Sequence, residues 1–394
     1  MPGPLDGYRI LDLSTVISGP FATMLLADQG ADVIKVEGVN RPDHARGAGH
    51  GENKFTATFL NNNRNKRSIA LDLKTPEGVE VLLKIASTCD VIVQNFRPGV
   101  VERLGVGEAA VRQVKPNIIY VSISGFGENG PLAHKPVYDP IIQAISGLTT
   151  IQGGSDDARP RLVRTIVPDK LTGMTTAQAV TSALLHRERT GEGQHVRVSM
   201  LDAVISFLWA SDMGGQTFVG REVSTQRAAT FIDLIYETKS DYISVSAMTN
   251  KQWQALSKSV GHPEWLEDER FSTPAARDLN ADERLALTQT ALLENTAEHW
   301  LEVLEEAGVP CAPVLKRKDV IHHPQVIASD LLIESNHDQA GRIRQTRPAA
   351  RFSKTQPEMR RGAPVLGADT DEILKEAALT DHEIAKLRSN GTVA

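Results

Sequence analysis

The run Asn117–Pro131, NIIYVSISGFGENGP, joins an apolar segment to a formal GxGxxG at Gly125, Gly127 and Gly130. The apolar part, Asn117 to Ile123, reads as a buried strand. A dinucleotide-binding turn needs its glycines to lead straight into a helix, whose N-terminus holds the pyrophosphate. Here Pro131 follows at once, with Pro136 and Pro140 close behind. Each proline pushes the residue before it away from helical angles, so no helix follows closely. The three glycines are therefore expected to form an active-site loop at the carboxyl end of a parallel strand, where open α/β sheets place ligands.

Towards the N-terminus, strand and helix patterns alternate. Tyr8–Ser14 (YRILDLS), Asp32–Gly38 (DVIKVEG), Ser68–Lys74 (SIALDLK) and Val91–Phe96 (VIVQNF) read as strands, and Pro20–Gly30 as a helix. Thr75 can cap a further helix, with Pro76 suited to its first position and Glu77 to its dipole. Towards the C-terminus, a helical pattern from Leu171 ends at Gly191 or Gly193. The strand Gln194–Met200 and the apolar helix Leu201–Asp212 follow. Strands separated by helices predict an α/β protein with a parallel sheet covered on both faces. Beyond a linker-like stretch, MGGQTFVGREVSTQ, Phe231–Met248 reads as a hairpin and Asn250 to about Gly308 as helices, closed by GVPCAPVL. Thr225 to Lys318 is thus expected to form a smaller α+β domain.

With 394 residues, 41% hydrophobic and 23% charged, the chain has the composition of a soluble globular enzyme. A formal charge of −6 gives no bulk attraction to phosphate backbones, so no nucleic-acid partner is implied. Cys89 and Cys311 lie far apart without a spaced framework, which fits a reduced cytoplasmic setting. No basic n-region precedes an apolar stretch at the N-terminus, and no apolar run approaches the ~20 residues of a membrane helix. No GxSxG, HExxH, CxxC or Walker sequence occurs, and His322-His323 lacks the partners of a metal site.

Three features leave alternatives open. Glu37 ends the first βαβ unit and suits either a ribose contact or a solvated strand end. Arg64, Lys66, Arg67, Lys74, Arg97 and Arg103 gather near strand ends, as phosphate partners or as a solvated basic rim. Asp169, in IVPDKLTGM, either caps the coming helix or carries chemistry.

Ordered pieces across nearly the whole chain resemble the class III CoA-transferases, the CaiB/BaiF or formyl-CoA transferase type, whose family also contains α-methylacyl-CoA racemases. They are PLDGYRILDLS…SGP, GADVIKVE, NRNKRSIALDLKTPEG, NFRPGVVERLG, YVSISGFGENGP, YDPIIQAISGL, VPDKLTGM, LLHRERTGEGQHVRVSMLDA, GVPCAPV and GAPVLGADTDEIL. The resemblance implies a large Rossmann-like CoA-binding domain from residues 1–200 and 330–394, linkers at 201–224 and 319–329, and the small α+β domain at 225–318. It also implies an interlocked homodimer, no permanently bound cofactor, no metal, and an acyl-CoA thioester and a carboxylic acid as substrates. Succinyl-CoA with a dicarboxylic or hydroxy acid fits the family's habit.

On this resemblance Asp169 is the nucleophile. CoA-contacting positions are Ile17, Ser18, Leu71, Asp72, Leu73, Lys74, Asn95, Phe96, Arg97 and Arg103, with Val137, Tyr138 and Asp139 lining the pantetheine arm and thioester. Acceptor contacts are expected at Met248, Thr249 and Asn250. Two departures bear on substrate. The region Gly214–Met248 lacks the tetraglycine loop of formyl-CoA transferases, and Pro136 stands where those enzymes carry a lysine. The racemase branch needs a base and an acid on opposite faces of its substrate. That branch has a His-Asp pair where this chain has Tyr138-Asp139, and a GDFGGG-like stretch where this chain reads PDKLTG. A CoA-binding protein without catalysis would need neither Asp169 nor the glycine loop.

Overall fold

A computed structural model describes residues 3–47, 49–52, 55–224 and 234–394. The chain forms two compact units: Met1–Thr150 with Arg161–Glu222 and Asp330–Ala394, and Ile151–Pro160 with Val223–Ser329.

The first unit is built on six strands: β1 (Arg9–Asp12), β2 (Asp32–Glu37), β3 (Lys66–Ala70), β4 (Val91–Gln94), β5 (Ile119–Ser124) and β6 (His195–Ser199). They run in the order β3-β2-β1-β4-β5-β6, and every neighbouring pair is parallel. Residues alternate between the two faces. Ile10, Val33, Val91, Val93, Ile119 and Val121 pack on one side, against α1 (Ser18–Asp28) and α5 (Val167–Thr190). Leu11, Ile34, Ile69, Ile92 and Tyr120 pack on the other, against α2 (Pro76–Ser87), α3 (Glu108–Val114) and the C-terminal helices Thr370–Glu376 and Asp381–Ser389. Both faces are covered, as the apolar strand runs require.

Element boundaries follow local chemistry. Thr75 caps α2 by accepting from the Gly78 amide at 3.1 Å, with Pro76 at the first helical position. Asp139 opens α4 (Asp139–Ile145), behind the turns that follow Gly130. Helix α5 starts at Val167, ahead of the expected Leu171, so Asp169 lies in its first turn. It ends at Gly191, whose φ of +78° suits a residue without a side chain. The expected linker 201–224 begins inside α6 (Met200–Trp209), which is capped by Ser199 and belongs to the first unit.

The second unit holds a three-stranded antiparallel sheet, with Tyr242–Val245 between Ile235–Glu237 and Cys311–Pro313. Phe231 to Asp233, the start of the expected hairpin, lie outside the described residues. The strand Cys311–Pro313, read in the sequence only as the close of a helical stretch, completes this sheet. Its core includes Tyr236, Ile243, Trp253, Leu256, Trp265, Phe271 and Trp300.

Leu82 of α2 is fully buried in the larger core. Leu82→Ala is expected to lower stability by about 2–5 kcal/mol through lost burial and the cavity left behind. Urea unfolding should show a lower midpoint with an unchanged slope.

Candidate active site

The strand order reverses direction between β1 and β4, and in doubly wound sheets that switch point opens a crevice at the carboxyl ends of the strands. Two chain segments leave the sheet there: Leu13–Ile17 after β1, and Asn95–Arg97 after β4. Asp12 and Asp43 hold the first. Asp12, fully buried, accepts from the Ser14 amide at 2.9 Å, the Thr23 hydroxyl at 2.7 Å and Lys66 Nζ at 2.9 Å. Despite burial, Lys66 and Lys35 hold its carboxyl down at about 2. Asp43 pairs with the fully buried Lys35 at 2.8 Å and accepts from the Val16 amide at 3.0 Å. Asn95 brackets the next residue, accepting from Thr15 N at 2.9 Å and donating to Thr15 O at 2.8 Å.

Between these clamps Val16 adopts φ of +72°. This is a left-handed conformation that a β-branched residue adopts only under constraint. The turn delivers Ser18 to the first position of α1, where its amide and hydroxyl face the Asp169 carboxylate and favour its charged form. Asp169 therefore does not cap its own helix; it meets the N-terminus of α1, where negative charge is favoured. Helices α1 and α5 come this close because residue 173 is glycine. A side chain there would begin 2.8 Å from Ser18 O and 2.8 Å from the Phe21 ring.

Asp139 lies behind Asp169. It is buried, accepts from the Asp169 amide at 3.3 Å through Oδ2, and accepts from Gln143 Nε2 at 2.7 Å through Oδ1. Burial, and then the Asp139 charge, raise the Asp169 carboxyl to about 6 against the pull of the Ser18 amide and hydroxyl. Burial raises Asp139 as well. A carboxylate that is desolvated yet ionised at neutral pH is chemically suited to attack a carbonyl.

Asp169 lines a cavity of about 290 Å³ together with Thr15, Ser18, Asn95, Phe96, Arg97, Gly125, Lys135, Val137 and Tyr138. A second cavity of about 280 Å³ is lined by Leu71, Asp72, Leu73, Lys74 and the loop Gly38–Arg41. Thr15 and Phe96 line both cavities, so the two adjoin. Ile17 is buried beneath the turn, and Asp139 reaches the cavity only through the Asp169 backbone. Arg97, Arg103 and Lys74 are exposed; Arg103 lines neither cavity and lies against Gly99.

The loop glycines have separate structural reasons. A side chain on Gly125 would begin 2.0 Å from Val137 Cγ1. Gly127 and Gly130 have φ of +85° and +91°.

The remaining basic residues near the strand ends are neither phosphate partners nor a solvated rim. Arg64 pairs with Asp28 at 2.7 Å, Lys66 with Asp12, and Arg67 with Asp32 at 2.6 Å and Glu376 at 2.9 Å. Glu37 is likewise neither solvated nor free for a ribose, being buried against Arg46 at 2.6 Å. In the second unit Met248 is 77% exposed beside a cavity of about 470 Å³. Thr249 caps the helix Asn250–Ser259, and Asn250 accepts from Arg277. Among the described residues, no group of three or more His, Cys, Asp or Glu is placed to hold a metal ion, and no helix is long and apolar enough to cross a membrane.

A half-buried carboxylate thus stands beside a two-part crevice at the switch point, a placement that suits covalent acyl chemistry. Residues 5–370 match the model of CoA-transferase family III, and the chain belongs to that family. It is 35% identical to the succinyl-CoA:glutarate CoA-transferase of Mus musculus, covering 99% of this chain and 90% of that one. It is 34% identical to the acetyl-CoA:oxalate CoA-transferase of Acetobacter aceti, covering 95% and 96%. The crystal structure of a CaiB/BaiF family protein from Brucella suis superposes with a TM-score of 0.83 at 29% identity, covering 96% of this chain and all of that one. The protein is thus an enzyme that moves CoA between an acyl thioester and a carboxylic acid.

The raised Asp169 carboxyl has a consequence for stability. Its value goes from 3.8 in the unfolded chain to about 6 in the folded one, so the folded state holds the proton more tightly. This group therefore weakens the fold as pH rises through that window. Asp169→Asn is expected to raise the urea midpoint at pH 7 relative to the natural protein. The difference should shrink as the pH is lowered towards 3.8.

Proposed function

We propose that Asp169 is the nucleophile, and that the carboxylate fixed by Ser18 and desolvated beside Asp139 is the observation that carries this reading. Its carboxylate attacks the donor thioester, expelling CoA thiolate and forming an aspartyl mixed anhydride. The thiolate then attacks the aspartyl carbonyl, releasing the donor acid and leaving an aspartyl-CoA thioester. The acceptor carboxylate attacks that thioester, giving a second anhydride and thiolate. Finally the thiolate takes the acceptor's acyl group and returns Asp169 as a free carboxylate. Each step exchanges one activated acyl bond for another, so the thioester's energy is conserved.

The two adjoining cavities support a path for CoA. Leu71–Lys74 receive the nucleotide end and Asn95–Arg97 line the arm, with Arg97 near the phosphates and Arg103, outside both cavities, adding positive charge from the neighbouring turn. Val137 and Tyr138 flank the thioester, and Asp139 backs the nucleophile. The Ser18 amide and hydroxyl, which hold the resting carboxylate, are suited to stabilise an oxyanion. The loop at Gly125, Gly127 and Gly130 shields the anhydride from water.

A dicarboxylic acid acceptor with succinyl-CoA as donor is supported by the activity for which the Mus musculus relative is named. Met248, Thr249 and Asn250 supply acceptor contacts in this reading. A homodimer with the family's interlocked arrangement is carried over from the resemblance, and the exposed Leu185, Phe207 and Trp209 of α5 and α6 suit cover by a second copy.

Two experiments test the mechanism. During turnover with an oxygen-18-labelled acceptor acid, one labelled oxygen must enter the Asp169 side chain, as read by peptide mass. Asp169→Ala must abolish exchange. Turnover without label in Asp169 removes the covalent route, and loss of an α-deuteron from the acyl group without label uptake identifies a racemase. The rate should also rise with pH through a limb near 6, where Asp169 ionises. Asp139→Asn removes the like charge, so the limb should move to lower pH.

A further inference from the structure

A line of side chains crosses the sheet from His195, the first residue of β6, through Ser122 inside β5 to Gln94, the last residue of β4, on the face opposite α1 and α5. Arg112 Nε donates to Glu108 Oε1 at 2.7 Å, and Glu108 Oε2 lies 2.7 Å from His195 Nδ1. His195 Nε2 lies 2.8 Å from Ser122 Oγ. Gln94 Nε2 donates to the same oxygen at 2.9 Å, and Gln94 Oε1 accepts from the Phe96 amide at 2.8 Å.

The chemistry of each group sets the direction of the whole line. An ionised Glu108 can only accept, so His195 carries its proton on Nδ1. The tautomer follows from this network. Nε2 of the neutral ring is then an acceptor and takes the Ser122 hydroxyl proton. Ser122 Oγ keeps a lone pair for the Gln94 amide, whose carbonyl must therefore face the Phe96 N–H. Turning the Gln94 amide over would set its NH2 against the Phe96 N–H, so the Gln94 orientation is fixed.

The spacing Ser122–His195–Glu108 is that of a hydrolytic triad, but Ser122 is not placed to act as a nucleophile. It lies inside β5, paired with Gln94 on one side and Arg197 on the other. Its own backbone therefore cannot serve a developing oxyanion, and its hydroxyl oxygen is already held by Gln94.

The line ends on Phe96, one of the two residues shared by the cavities of the site. On this side Phe96 borders a void of about 510 Å³, lined also by Gln94, Glu108, Ser122 and His195. The Phe96 side chain packs against the larger core, and on the side of the void the Gln94 carbonyl holds its backbone amide. We propose that His195 is a positioning residue for the CoA-binding loop, acting through Ser122 and Gln94 on the Phe96 backbone. The proposal rests on the reading that CoA follows the two cavities.

Steady-state kinetics of the full-length enzyme with succinyl-CoA as the probe tests both readings separately. His195→Ala should raise KM for the CoA ester by about tenfold, the worth of a lost buried hydrogen bond. Its kcat and its KM for the acceptor acid should change little, while its thermal midpoint should fall by a few degrees because Ser122 and Glu108 lose their partner. Gln94→Ala should do the same, and the double variant should be no worse than the poorer single one, because both cut one line. His195→Gln, whose carbonyl can take the Ser122 hydroxyl, should recover most of the loss. A loss confined to kcat, additive effects of the two substitutions, or no recovery with glutamine overturns the proposal. Phe96→Ala and Lys74→Ala are the controls for the CoA path. If they raise KM while His195→Ala does not, the relay is wrong; if they leave KM unchanged, the path is wrong and the relay falls with it.

Discussion

Val16, held at φ of +72°, is the constraint on which the site depends. A β-branched residue in that conformation costs of order 1–3 kcal/mol and persists only where its surroundings dictate it. They do so here through Asp43, fixed by the fully buried Lys35, and through Asn95, which grips Thr15 from both sides. The result is that α1 begins where its first amide and hydroxyl meet Asp169. Without that turn, the carboxylate in the first turn of α5 would have no donors facing it. It would stay near Asp139 with repulsion and burial unopposed.

The same arrangement balances two demands on the nucleophile. A carboxylate surrounded by water is hydrated and slow, while one buried without partners takes up a proton and loses its charge. Burial and Asp139 push the Asp169 carboxyl up to about 6, and Ser18 keeps it from rising further. At neutral pH it is charged and poorly solvated, the state that attack on a thioester requires. Water exclusion matters again once an anhydride forms, which gives a reason for Gly125, whose backbone closes on Val137.

Much of the fold was legible in the sequence because strands and helices are local patterns. The alternation of apolar runs predicts the parallel sheet, and Thr75-Pro76 marks a helix start correctly. Asp169 could be singled out from its place in the motif order, but its environment could not. Ser18 lies far away in sequence, and the Asp139 backing comes from a different helix. The basic residues show the limit most clearly. Arg64, Lys66 and Arg67 look like a cationic rim until Asp28, Asp12 and Asp32 are brought beside them, from 36, 54 and 35 residues away. Charge in a sequence says nothing of its partner. The line from Glu108 to Gln94 was equally invisible, since it joins one helix and three strands through single hydrogen bonds.

The most direct test is a crystal structure of the protein frozen after brief exposure to an acyl-CoA. Continuous density from the Asp169 carbonyl carbon to the CoA sulfur is the expected result. The nucleotide should lie along Leu71–Lys74, with Val16 still in its left-handed conformation. CoA bound with its sulfur away from Asp169, or a Val16 turn relaxed without displacing Ser18, would contradict the account.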